Sequence, residues 1–235
     1  MTVEYITPDY SVRAATNVVA KSANDLEFDK NFGNANSETV ELELPHHLVG
    51  NRGTLRLLGF HTTAHMGNYA IATNSAAAAG VVPDITSTRA YGRSKYGFDV
   101  NAEEELSNRV GAFARVSWND GANETWMFTE IDRSVAAGIS YDGIASAGTD
   151  LLRGAIVVNG ISDEHKNYLA AGGSGFILGD GKLNYAMELI GELQYSYHVN
   201  NFLTMSADAQ YVLNPGYNAD RGPVGVVAIR GHVEM

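Results

Sequence analysis

The side chains with the widest chemical scope fall into a few groups. His61 and His65 stand four apart, and His46 and His47 are adjacent. Paired imidazoles hold transition metals when further ligands converge on them. No carboxylate is spaced to complete such a set, so no metal and no cofactor is expected. Glu130 and Asp132 offer two carboxylates one residue apart, the residue types of a glycosidase pair. On an alternating strand both share a face with Arg109 and Arg115, and a charge-compensated wall is the simpler account. No Ser occupies a nucleophile elbow, and no Ser, His and Asp order stands out. Gly172-Gly173-Ser174-Gly175 lacks the Lys that follows a phosphate-binding loop. No catalytic residue is assigned, and no enzyme is expected.

What remains is a dispersed set of charges of both signs. Arg13, Arg109, Arg115, Arg153 and Arg230 can meet Glu41, Glu43, Asp99, Glu130, Asp132, Glu188, Glu192 and Asp208, with Phe113 as an inward aromatic. Such a wall suits a neutral polyol. Charged and amide groups hydrogen-bond its hydroxyls, and an aromatic ring lies against its apolar face. Binding must stay weak if the solute is to leave again. The candidate solute-contacting residues are Arg109, Phe113, Arg115, Glu130, Asp132, Arg153, Glu188, Glu192, Asp208 and Arg230. Each Arg could equally brace the wall.

Strands must position these groups. From Leu183 to Val199 every second residue is apolar, aromatic or Gly, and most of those between are polar. Period two over that length is a β-strand with one apolar and one wet face. Asn200-Asn201 has hairpin-turn chemistry. Leu203 to Leu213 alternates again, and a last strand carries Val227, Ile229, Val233 and Met235 on one face. Earlier strands are expected at 3–6, 10–18, 39–44, 58–66, 95–103, 109–118, 125–141 and 152–159. In the fourth of these, Leu58, Phe60, Thr62, Ala64 and Met66 read as the apolar face. The run 125–141 reads as one strand of imperfect phase, with Arg133 on its apolar side. Gly67 to Arg93 is a long loop with an Ala-rich centre suited to a short helix, and 162–182 is a Gly-rich loop with about one helical turn.

Composition limits the alternatives. The 235 residues carry a net charge of -11, which argues against nucleic acid, because phosphate binding needs clustered Lys and Arg. There is no Cys, so disulfides, thiolate metal sites and Cys nucleophiles are excluded. Mean hydropathy is -0.14. The longest small or apolar run, Ala76 to Val82, is far short of the roughly eighteen residues of a spanning helix. The strands, however, are long. A globular strand runs about five or six residues, and one that crosses a bilayer at a tilt roughly nine to eleven. Tyr185, Tyr195, Tyr197 and Tyr211 sit near the ends of apolar faces, as interfacial girdles would. A soluble sandwich or lipocalin-type barrel also alternates and stays open on pattern alone.

About eleven strands emerge, and their connections sort by length. The long ones (21–36, 67–93, 119–123, 162–182, 214–222) fall on one side; 8–9, 45–53, 107–108, 142–150 and 200–201 fall on the other. Outer-membrane barrels have this asymmetry, and an even strand number. Met1 to Glu4 shows no basic or apolar leader. The expectation is therefore the C-terminal part of one barrel domain, 1–235, with an odd number of N-terminal strands and a signal peptide lying outside it.

Specific phrases sharpen the pattern. Gly111-Ala-Phe-Ala-Arg-Val-Ser-Trp-Asn-Asp120, Trp126-Met-Phe-Thr-Glu-Ile-Asp-Arg-Ser134, Val158-Asn-Gly-Ile-Ser-Asp163, Tyr168-Leu-Ala-Ala-Gly-Gly173 and Asn214-Pro-Gly-Tyr-Asn-Ala-Asp-Arg-Gly-Pro223 resemble the OprB-like carbohydrate-selective porins. Ala20-Lys-Ser-Ala-Asn-Asp-Leu-Glu27 and Glu41-Leu-Glu43 resemble the same family's middle. The resemblance covers nearly the whole chain, in order. It implies an antiparallel transmembrane barrel of about sixteen strands in the Gram-negative outer membrane, passing small sugars such as glucose by diffusion. Its implied partners are small sugars, outer-membrane lipid and the barrel assembly machinery, with a homo-oligomer left open. Such barrels usually end in an aromatic residue read during assembly, whereas this chain ends in Met235. An outer-membrane barrel enzyme and a soluble carbohydrate-binding β-protein are the competing readings.

Overall fold

The computed structural model describes residues 1–47, 51–127, 129–144 and 150–234. Eleven strands form one antiparallel sheet in which every strand pairs with its sequence neighbours. They are β1 (Thr2–Ile6), β2 (Ser11–Val18), β3 (Asn36–His46), β4 (Gly53–Ala64), β5 (Arg93–Ser107), β6 (Val110–Asn119), β7 (Arg133–Asp142), β8 (Asp150–Gly160), β9 (Glu188–His198), β10 (Leu203–Leu213) and β11 (Val224–Val233). Helices α1 (Tyr69–Ala79) and α2 (Asp163–Ala170) lie in the connections. Among the described residues no helix is long and apolar enough to cross a membrane. From β3 onward each strand has ten or more residues, the length of a tilted crossing.

Register explains why this sequence makes this sheet. Val12, Leu42, Leu57, Val100, Val116, Val135, Val158, Leu189 and Leu213 are directly opposed, strand to strand, from β2 to β10. Every member of that row is Val or Leu. One residue further along, Glu4, Arg13, Glu41, Leu58, Asp99, Ser117, Ser134, Asn159 and Glu188 make the next row, on the other face. A slip of one residue would turn polar side chains, charged ones in β2, β3 and β5, into the Val/Leu face, so the pattern locks the register. The apolar row is not covered by protein: Leu57 is 39%, Val116 43% and Val135 53% exposed. An uncovered apolar band around a sheet whose other face is polar is matched to hydrocarbon.

The long connections 19–35, 65–92, 120–132, 161–187 and 214–223 gather at one end. There they build a cap that holds the protein's core. One cluster joins Tyr69 and Ala72 of α1 with Ile161, Tyr168, Leu169 and Tyr217. A second joins Val19, Ala35, Ala64, Met66 and Trp126. Helix α1 starts at Asn68, whose side chain accepts from the Ile71 N–H, and stops at Gly80, whose φ of 67° suits glycine. At the opposite end the β9–β10 hairpin turns on Asn200, whose side-chain oxygen accepts from Phe202 N (2.9 Å) and Leu203 N (3.0 Å). The 142–150 and 45–53 connections and Met235 lie wholly or partly outside the described residues.

Four expectations need correction. The run 125–141 is not one strand: β7 begins at Arg133, and residues 124–127 and 129–132 fold into the cap with Glu124, Thr125, Trp126, Glu130 and Asp132 buried. Its imperfect phase reflects two environments. Arg133 does sit on the apolar side, at the first residue of β7 and exposed, where its guanidinium reaches water. Second, β9 starts at Glu188, while Leu183 and Tyr185 pack on the cap core, so Tyr185 belongs to no girdle. Third, β4 has the opposite phase. Leu58 opposes Glu41 and Asp99 on the polar face, whereas Leu57 and His61 face outward. Ala64 and Met66 are buried in the cap against Trp126, which supplied the apolar signal that misled the pattern. Helix α2 is eight residues long, longer than the single turn expected.

Candidate functional site: the polar face of the sheet

Alternation delivers every second side chain of each strand to the polar face, and complementary charges then meet across neighbouring strands. Arg13 pairs with Glu4, with Glu41 (2.8 Å) and with Glu43 (3.1 Å). Glu43 also accepts from Arg56 Nε at 2.9 Å, and Arg56 Nη1 reaches Glu103 at 2.9 Å. This ladder sets two guanidiniums among four carboxylates from β1 to β5 and braces the wall.

Further along, the charges loosen. Arg115 stands 3.9 Å from Asp99, with its side chain 54% exposed. Arg153 donates to Gln194 at 3.1 Å and is otherwise open. Phe113 lies between them, opposite Gly138 in the β6–β7 register. A Cβ on Gly138 would fall 2.9 Å from Phe113 Cζ, so the ring lies over the glycine. Asn101, Glu103, Phe113, Arg115, Arg153 and Glu192 line one recess of about 960 Å³. It offers donors, acceptors and an aromatic ring together, the equipment for weak contact with a polyol.

The candidate residues divide into three groups. Phe113, Arg115, Arg153, Glu188, Glu192, Asp208 and Arg230 lie on the polar face by register. Glu188 is committed to structure, accepting from Asn159 Nδ2 (3.2 Å) and Gly216 N (3.0 Å). Arg109 sits exposed in the β5–β6 turn, at the end remote from the cap. Glu130 and Asp132 are 3% and 1% exposed inside the cap. They are not on a strand beside Arg109 and Arg115, because the chain leaves the sheet before reaching them.

That inward segment is anchored throughout. Arg89 grips Glu124 through two nitrogens (2.6 and 2.9 Å), and Trp126 Nε1 donates to Ala20 O at 2.8 Å. Glu130 Oε2 accepts from Ile177 N and Leu178 N, both at 2.8 Å, and Tyr217 donates its hydroxyl to Glu130 O at 2.9 Å. Asp132 Oδ2 accepts from Ser162 N at 2.9 Å and faces His165 Nδ1 at 3.2 Å; Lys95 Nζ of β5 is 3.6 Å from Oδ1. Burial alone would raise the Asp132 carboxyl, but the His165 hydrogen bond and the Lys95 charge outweigh it and leave it at about 2. Burial pushes the Tyr69 and Tyr217 phenols well up.

The histidines do not converge. His61 faces outward on β4, and the His65 ring lies 4.6 Å from that of Tyr91. Among the described residues no group of three or more His, Asp or Glu is placed to hold a metal. Arg56, Lys95 and His165 escaped the sequence reading. Arg56 was hidden by the misphased β4, although Leu55 and Leu57 on either side of it carried the true alternation. His165 had no signal beyond its place in an acidic run that makes a helix start.

A family model described as carbohydrate-selective porin, OprB family, matches residues 2–235. Comparison with curated proteins gives no match. Among solved structures, the chain is similar to the high-pH structure of Pseudomonas putida OprB, with a TM-score of 0.73 and 22% identity over 98% of this chain and 56% of that one. The low-pH structure of Pseudomonas putida OprB gives a TM-score of 0.54 at 18% identity, over 98% and 52%. The outer membrane channel DcaP of Acinetobacter baumannii gives 0.55 at 9%, over 98% and 59%. At these identities the likeness is one of fold, and the chain spans little more than half the length of each.

Proposed function

The chain belongs to the carbohydrate-selective porin family OprB, and from that premise we propose that its polar face walls a water-filled channel through which small sugars such as glucose diffuse without energy input. The all-β antiparallel sheet and its uncovered apolar band are those of a barrel in the Gram-negative outer membrane. Family and fold point to a channel rather than an enzyme. The closed barrel, on this proposal, includes strands beyond the eleven described, since β1 and β11 each have one neighbour among the described residues. An open edge in hydrocarbon leaves backbone N–H and C=O groups unsatisfied.

The observation that carries the reading is the division of labour among the arginines. Arg13 and Arg56 are spent on carboxylates, while Arg115 and Arg153, on either side of Phe113, keep donors without a hydrogen-bond partner among the described residues. We assign solute contact to Phe113, Arg115, Arg153 and Glu192, with Asp208 and Arg230 further along the wall. Planar-bilayer recordings of the full-length barrel test this. Glucose should reduce ion current in a concentration-dependent way, and Arg115→Ala or Phe113→Ala should weaken that block while the barrel stays folded. Unchanged block in both variants would remove these residues from the solute path.

A further inference from the structure

We infer that His165 is a positioning residue that holds residues 129–132, and with them 124–127, as a segment across the channel and thereby sets which sugars pass; this rests on the channel reading above. The segment stands off the wall instead of lining it. A gap of about 210 Å³ separates it from β4 and β5, with Phe60, Thr62 and Lys95 on the wall side and Trp126, Thr129 and Ile131 on the segment's side. Phe60, Thr62 and Lys95 share the polar face by register, so the segment occupies channel space. Its return to the sheet is fixed at Asn119, whose Nδ2 donates to Ile131 O at 2.9 Å.

Three carboxylates there are buried, and buried charge must be met by partners; Arg89 meets Glu124, which leaves Glu130 and Asp132. His165 of α2 is fully buried between them. Its Nδ1 is 3.2 Å from Asp132 Oδ2, its Nε2 is 3.8 Å from Glu130 Oε1, and its ring stacks on Tyr69 at 4.2 Å. Lys95 reaches Asp132 alone among these two carboxylates, whereas the His165 ring lies within 4 Å of both. The imidazole therefore ties the segment to α2 at Asp132, while Glu130 itself ties in the β8–β9 connection through Ile177 and Leu178. At 3.8 Å Nε2 makes no hydrogen bond to Glu130, so the tie runs through Nδ1 and Asp132 and is lost when the ring is replaced.

The test uses the full-length barrel carrying His165→Leu, which removes both nitrogens, and His165→Asn, which keeps a donor near the Nδ1 position. Folding is checked by heat-modifiable migration on a denaturing gel. Liposome swelling then gives the ratio of sucrose to glucose entry, and acrylamide quenching of Trp126, in a background where Trp118 and every other Trp of the full-length barrel is replaced by Phe, reports on the segment itself. His165→Leu should raise the sucrose ratio several-fold and expose Trp126, and His165→Asn should restore most of the wild-type ratio. An unchanged ratio with Trp126 still shielded overturns the inference. So does an equal rise in both variants, which would mark His165 as mere packing. If neither variant folds, hydrogen exchange on the wild-type protein decides. Slow, concerted exchange at Ser162, Ile177 and Leu178 supports the tie, and exchange at free-loop rates defeats it. A wild-type barrel that admits no sugar would instead sink the channel reading.

Discussion

Asp132 carries opposing forces on one carboxylate. Burial disfavours its charge, and His165 and Lys95 favour it more, so the folded value of about 2 lies below the ordinary 3.8. A lowered carboxyl contributes stability that is fully present above 3.8 and is lost as pH falls through about 2. Shielding of Trp126 should therefore hold down to about pH 4 and fail between there and pH 2. In Asp132→Asn the cap should lose on the order of 3 kcal/mol at neutral pH, as when one partner of a buried pair is removed. Hydrogen exchange at Ser162, whose N–H donates to Asp132, measures both effects. Residues of this kind were the least legible from sequence. Phe113, Arg115 and Arg153 were placed correctly on the polar face, because alternation alone decides the face of a strand residue. Glu130 and Asp132 were not, since they obey the same two-residue spacing while belonging to a folded connection. Only tertiary contacts with α2 distinguish the two cases.

At the scale of the element, adjacent residues on β9 should behave as opposites. Leu193 faces out and is 54% exposed, whereas Gln194 accepts from Arg153 on the polar face. Leu193→Arg should cost about 2–4 kcal/mol at mid-depth and reduce folded yield. Gln194→Arg keeps its charge in water and should fold near wild-type yield with altered flux. Comparing the amounts of heat-modifiable barrel for the two variants checks the face assignment; equal losses would contradict it. Eleven strands and their connections were readable because the Val/Leu row and the polar row repeat so regularly. Boundaries failed where the cap intrudes. At β4 the buried Ala64 and Met66 lent their apolar character to the wrong phase, and at Leu183 and Tyr185 packing on the cap imitated a lipid-facing strand.

For the whole molecule, the sheet has its core at one end and two faces with different solvents. Its edges at β1 and β11 call for partners, so the 235-residue chain refolded alone in detergent should be protease-sensitive or aggregated. A monodisperse, protease-resistant monomer with one discrete conductance would refute that. The central claim is that the polar face conducts small sugars passively. Its wall offers acidic and basic groups together. A neutral polyol finds hydrogen-bond partners at each step, while a zwitterion must exchange hydration against both signs. The direct measurement is swelling of liposomes that hold the full-length barrel, in isotonic glucose, arabinose, sucrose and glycine. Glucose and arabinose should enter faster than sucrose and faster than glycine, despite glycine's smaller size. Rates ordered by size alone, with glycine first, would contradict the account.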